Sequence, residues 1–138
     1  MAPVAVTPDE LGSDWRNGML ARPIEVRVNG ELLGKPNAAV DASFTFPDII
    51  RHACRYRGLC AGTVIAAGTV SNRDPGAGSA CIAERRMIET RDRGEAKTPY
   101  LAAADAFRIE MSDGEGRSIF GTIEQRVVDR SAAAARRS

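Results

Sequence analysis

The stretch IEVRVNGELLG at 24–34 limits what this chain can fold into more than any other segment. Ile24, Val26 and Val28 alternate with Glu25, Arg27 and Asn29, the period of two that gives a half-buried strand one apolar and one polar face. Asn29 and Gly30 tolerate the positive φ values of a two-residue hairpin turn, so the spacing predicts that Glu31–Gly34 returns as a short paired strand. A second alternation sets Phe107, Ile109 and Met111 against Arg108 and Glu110. The turn sequence SDGEG follows it, and SIFGTIEQRV reads as its returning arm.

Between the hairpins, FPDIIRHACRYR at 46–57 predicts a helix. Pro47 suits a first helical position, where no backbone N–H is needed, and Asp48 favours the positive end of the helix dipole. Ile49, Ile50, Ala53 and Cys54 share one face, Arg51 and Arg55 look away, and Gly58 can end the helix. His52, the single histidine, lies between these faces and reads as a satisfied, partly buried side chain. The run AGTVIAAGTVSN at 61–72 reads as a buried strand broken at Gly68, where another backbone or a ligand approaches closely. RDPGAGSA is a loop, and CIAERRMIET reads as a further strand with mixed faces. Residues 1–23 read as irregular chain with one short turn of helix. One domain over residues 1–128 and a disordered tail over 129–138 complete the organisation, with no internal repeat.

Composition removes several function classes. The 19 basic and 18 acidic residues nearly cancel, leaving a net charge of +1. A nucleic-acid surface needs a strong positive field, so no nucleic acid is expected as partner. Cys54, Cys60 and Cys81 are odd in number and have no paired spacing, which fits buried reduced thiols better than a disulfide framework or a zinc site. No run approaches the roughly 18–20 apolar residues of a membrane span, and the first residues lack the pattern of a signal peptide. A cytoplasmic protein with no membrane contact is the expectation.

An ordered set of stretches then becomes recognisable: PVAVTPDELG with Trp15, F.F.DII.HA at 44–53, AGTVIAAGTVSN at 61–72, CIAE at 81–84 with TPYL at 98–101, and RIEM.D..G.SIFGTIEQ.V at 108–127. Together they resemble the C-terminal part of the fumarylacetoacetate hydrolase family. The resemblance implies a mainly β fold, a mixed β-sandwich roll with one or two short helices, in a chain that forms a homodimer. It implies metal-assisted hydrolysis of a carbon–carbon bond in a 2,4-dioxo or acylpyruvate-type acid. Breaking that bond leaves an enolate, and in the family a divalent cation, Mg²⁺ or Ca²⁺, serves as the charge sink. By the same resemblance Gly68 and Thr69 contact substrate, and Glu84 matches the carboxylate that partners the catalytic histidine in some members.

The family's metal ligands lie in an upstream E-x-E region, just before the point where this sequence starts, and no metal ligands are expected here. Asp113 and Glu115 fall on a hairpin turn and read as solvated carboxylates. An upstream segment or a second copy is therefore the expected partner, and the chain alone is expected to be inactive. A non-catalytic remnant kept as a structural or dimerising module is the alternative. Two departures from the family pattern stand out. Ala104 precedes Asp105 where a glycine is usual, and Ala66-Ala67 replaces the more usual Gly-Ser, which removes a possible hydrogen bond near the site.

Overall fold

The computed structural model describes residues 1–129. Asn29 and Gly30 take φ values of 51° and 85°, so β3 (Ile24–Val28) turns directly into β4 (Glu31–Gly34), as the sequence predicts. A two-residue-strand hairpin, β1 (Trp15–Arg16) and β2 (Met19–Leu20), precedes them. Two helices follow, α1 (Phe46–Cys54) and α2 (Ile82–Arg93), then β5 (Ala106–Met111) and β6 (Ile123–Arg126). The larger sheet has the order β4-β3-β5-β6, with every neighbour antiparallel. Six strands in two sheets and two short α-helices make the described chain mainly β.

The register of β3 on β5 explains the two alternations. Ile24, Val26 and Val28 stand opposite Met111, Ile109 and Phe107, which collects the apolar side chains on one face. On the other face Glu25 stands opposite Glu110 and Arg27 opposite Arg108. Like charges abreast are unfavourable, and each is offset along its own strand. Arg27 Nε lies 2.7 Å from Glu25, and Arg108 Nη2 lies 2.6 Å from Glu110. Val26 is buried together with Met19 and Leu20 of β2. The remaining apolar residues of β3, β5 and β6 are only half-buried, so the sheet's apolar face is incompletely covered within the described residues.

Helix α1 begins where Pro47 and Asp48 predict. Thr45 caps it, its hydroxyl accepting from Asp48 N–H at 3.3 Å while Asp48 Oδ2 accepts from Thr45 N–H at 3.0 Å. It stops at Cys54, short of the predicted end, and buries no residue fully. His52 and Cys54 are exposed, and so is Cys60; only Cys81 is half-buried. The expectation of buried thiols and a sheltered histidine therefore fails: α1 has too little packed against it to cover Cys54 and His52, and Cys60 lies in the exposed loop that follows.

Two strand expectations also fail. Residues 61–72 form no strand, since no described strand pairs with them, and Val64 is exposed. CIAERRMIET is helix α2. Cys81 Sγ accepts from Glu84 N–H at 3.3 Å at its start, and Gly94, with φ 83°, ends it in a left-handed turn. The tail expectation falls almost wholly on residues 130–138, outside the described residues. No helix among the described residues is long and apolar enough to cross a membrane.

Two backbone positions make opposite predictions. A Cβ on Gly34 would sit 2.2 Å from Ser79 N, so Gly34→Ala should cost about 1–3 kcal/mol in urea unfolding. Ala104 adopts φ 76°, a left-handed conformation that costs an alanine about 1 kcal/mol. Ala104→Gly should recover roughly that amount. A destabilised glycine variant would show that the turn is not strained.

Candidate functional site

The segment 61–73 is held mainly at its end. Asn72 Oδ1 accepts from Asn37 N–H at 2.7 Å, and Asn72 Nδ2 donates to Asn37 O at 3.1 Å and Val40 O at 2.9 Å. Arg73 N–H donates to Asp41 Oδ2 at 2.8 Å. These bonds lay the stretch before them against the loop that leads into α1. A cavity of about 670 Å³ opens there, with Gly68 and Thr69 in its wall. Trp15 and Phe46, stacked with centroids 6.2 Å apart, Met19 and Leu20 form much of its apolar lining.

Gly68 has open space where a side chain would stand, so no other backbone approaches it. The expected close approach of another backbone is therefore absent there. Thr69 is exposed, and its hydroxyl has no hydrogen-bond partner among the described residues. Asp41, Ser43 and Ser71 supply the other side-chain oxygens of the lining. Such a cavity suits a small molecule with an apolar part and few polar atoms to orient.

The structure does not bring Glu84 to this cavity. It stands in the first turn of α2, where Oε2 accepts from Ala80 N–H at 3.2 Å. Its neighbour in sequence, Glu89, has the more specialised setting. Glu89 is buried and accepts from Thr98 Oγ1 at 2.6 Å, from the N–H groups of Lys97 and Thr98 at 2.8 Å each, and from Arg85 Nε at 3.3 Å. The Thr98 hydroxyl, followed by these other donors, lowers its pKa to about 2. The bonds fasten the 97–101 segment to α2, where Arg86 lies over the Tyr100 ring at 4.5 Å.

The donor set does not fit a divalent cation. Such an ion takes several oxygens, commonly from more than one carboxylate. Asp41 is the only carboxylate in the cavity lining, and Arg73 already engages it through its backbone and, at 3.8 Å, its guanidinium. No group of three His, Cys, Asp or Glu side chains among the described residues is placed to hold a metal. Asp113 is committed to its own turn, accepting from the N–H groups of Glu115 and Arg117 at 2.9 Å each.

Sequence reasoning missed Asn72, Asp41 and Glu89. The run SNRD after an apolar stretch carries the Asn/Asp chemistry that ties loops, which was the available signal. Glu89 could be found only once α2 was known to be a helix. The model of one family, described as fumarylacetoacetate (FAA) hydrolase C-terminal, matches residues 1–128. Comparison with curated proteins finds no match.

Glu89 makes a pH prediction. Its folded pKa lies below the ordinary 4.5, so its contribution is fully present above that value and is lost as pH falls toward about 2. Glu89→Gln should lower the melting temperature at pH 7. The gap from the unsubstituted chain should narrow steadily between pH 4.5 and pH 2. A gap that is constant over this range would mean that the charge contributes nothing.

Proposed function

Because the chain belongs to the fumarylacetoacetate hydrolase family, we propose that it forms the substrate-side wall of an enzyme that hydrolyses a carbon–carbon bond in a 2,4-dioxo or acylpyruvate-type acid. The observation that carries this reading is the placement of Gly68 and Thr69 on the wall of a largely apolar cavity, with an unpartnered hydroxyl and open space beside them. The apolar lining receives the acyl end of the substrate, and Thr69 donates to one of its oxygens. Gly68 lets the substrate approach the backbone closely. Water adds to the acyl carbonyl carbon, the adjoining carbon–carbon bond breaks, and its electron pair leaves as an enolate that takes up a proton. The products are a carboxylic acid and a 2-keto acid.

The groups that activate water and neutralise the enolate are, in this reading, supplied by other residues, because the donors among the described residues do not fit a cation. Glu84 acts as a helix cap, since its carboxylate lies at the start of α2 rather than in the cavity lining. The competing reading, a non-catalytic structural module, draws on the same lack of donors.

Acylpyruvate cleavage should be absent with the chain alone in Mg²⁺ and should appear when a family segment bearing the E-x-E region is supplied with it. Thr69→Ala should then lower kcat/KM about tenfold, the worth of one hydrogen bond. Glu84→Gln, which keeps the cap, should leave kcat unchanged. Turnover by the chain alone would refute external metal ligands, and silence of the combined system would favour the non-catalytic module.

A further inference from the structure

We propose that the cavity beside Gly68 and Thr69 selects 2,4-dioxo acids whose acyl end is a large, neutral, apolar group, with Trp15 and Phe46 as the specificity-determining residues. The inference rests on the hydrolytic reading of this cavity and adds the substrate class to it.

Size is the first argument. The cavity measures about 670 Å³, inside the range of roughly 300–1,000 Å³ that holds a drug-sized molecule. A two-carbon acyl group leaves most of that space to water and gains little from the apolar wall. Each further methylene that leaves water for the wall tightens binding about fourfold.

The aromatic part of the wall is fixed by the fold. Strand pairing sets Trp15 opposite Leu20, which is buried together with Met19. Phe46 N–H donates to Gly18 O at 3.3 Å, and this bond seats the β1–β2 turn on the start of α1. The contact is close, since a Cβ on Gly18 would stand 2.3 Å from Pro47 Cδ. At the base of the hairpin, Ala21 N–H donates to Asp14 O at 2.7 Å and Arg22 Nε to Asp14 Oδ2 at 2.6 Å. Held in this way, Trp15 and Phe46 stack with their planes 24° apart, yet both remain only half-buried in the cavity lining. Their uncovered area is rigid, so a substrate that covers it orders little else.

Charge is the second argument. Asp41 is the only charged side chain in the lining among the described residues, and it is negative. The guanidinium of Arg73 lies 3.8 Å away but is 90% exposed, so solvent screens that pair. An acyl arm ending in a second carboxylate would leave water for an apolar wall and meet Asp41 as a like charge. A neutral arm of the same length meets neither penalty.

The chain has a single tryptophan, so the indole N–H resonance of Trp15 reads the wall directly. Titrating the full chain with acetylpyruvate, butanoylpyruvate and hexanoylpyruvate should move that resonance, with Kd falling about fourfold per added methylene. Adipoylpyruvate has the carbon number of hexanoylpyruvate but ends in a carboxylate, and it should bind at least about tenfold more weakly. Asp41→Asn keeps an acceptor for Arg73 N–H and tolerates the φ of 58°, and it should narrow that gap. Phe46→Ala should flatten the dependence on chain length. Ala67→Phe, at an exposed position of the wall, should do the same by filling the space, and it decides if Phe46→Ala folds poorly. A Kd independent of chain length, equal binding of hexanoylpyruvate and adipoylpyruvate, or a full length dependence in Ala67→Phe would overturn the proposal. Turnover in the system completed with the E-x-E segment separates this inference from the reading beneath it. Length-dependent binding without cleavage refutes hydrolysis alone. Cleavage with the same KM for acetyl and hexanoyl chains refutes the specificity alone.

Discussion

Asn29 ties the β3–β4 turn to the start of β5. Its own φ of 51° makes the β3–β4 turn, and its side chain reaches across to the start of β5. Asn29 Nδ2 donates to Asp105 Oδ1 at 2.9 Å, and Asn29 Oδ1 accepts from Ala106 N–H at 2.9 Å. The carboxylate of Asp105 also accepts from Ala102 N–H at 2.7 Å, and these bonds hold its pKa below the usual range. One residue therefore sets both a local turn and the register of strands far apart in sequence. A one-residue slip at this junction would turn the apolar face of β3 away from that of β5.

What the sheet builds, the loops convert into a site. The sheet contributes Met111 to the cavity, β2 contributes Met19 and Leu20, and the segment pinned by Asn72 closes one wall with Gly68 and Thr69. The cavity is rich in apolar surface and poor in charge. In the proposed reaction such a cavity supplies a wall for the substrate and no charge sink for the enolate. The same incompleteness recurs in the sheet, whose apolar face is half-buried and whose β6 edge is unpaired among the described residues.

The candidate site was partly legible. Gly68 and Thr69 were singled out through their family motif, and the structure sets both in a cavity wall, which the motif alone does not describe. Glu84 was misjudged in its local structure because CIAERRMIET was read as a strand despite its mixed faces. As α2 the same residues follow a helical logic, with Glu84 near the cap and Arg85 paired to Glu89 one turn on. The run at 61–72 misled in the opposite sense. Its small and β-branched residues favour extended chain, but a strand forms only where another strand supplies hydrogen bonds.

Patterns that act between near neighbours were decided by the sequence itself: the Asn29-Gly30 turn, the alternations of β3 and β5, and the Thr45–Asp48 cap of α1. Each depends on φ preferences or side-chain reach over a few residues, and those are properties of the amino acids present. Only the tertiary structure decided that Asn72 holds the cavity wall and that Glu89 is buried against Thr98. These depend on which distant segments meet, and hydrophobic period does not encode the direction from which a partner arrives.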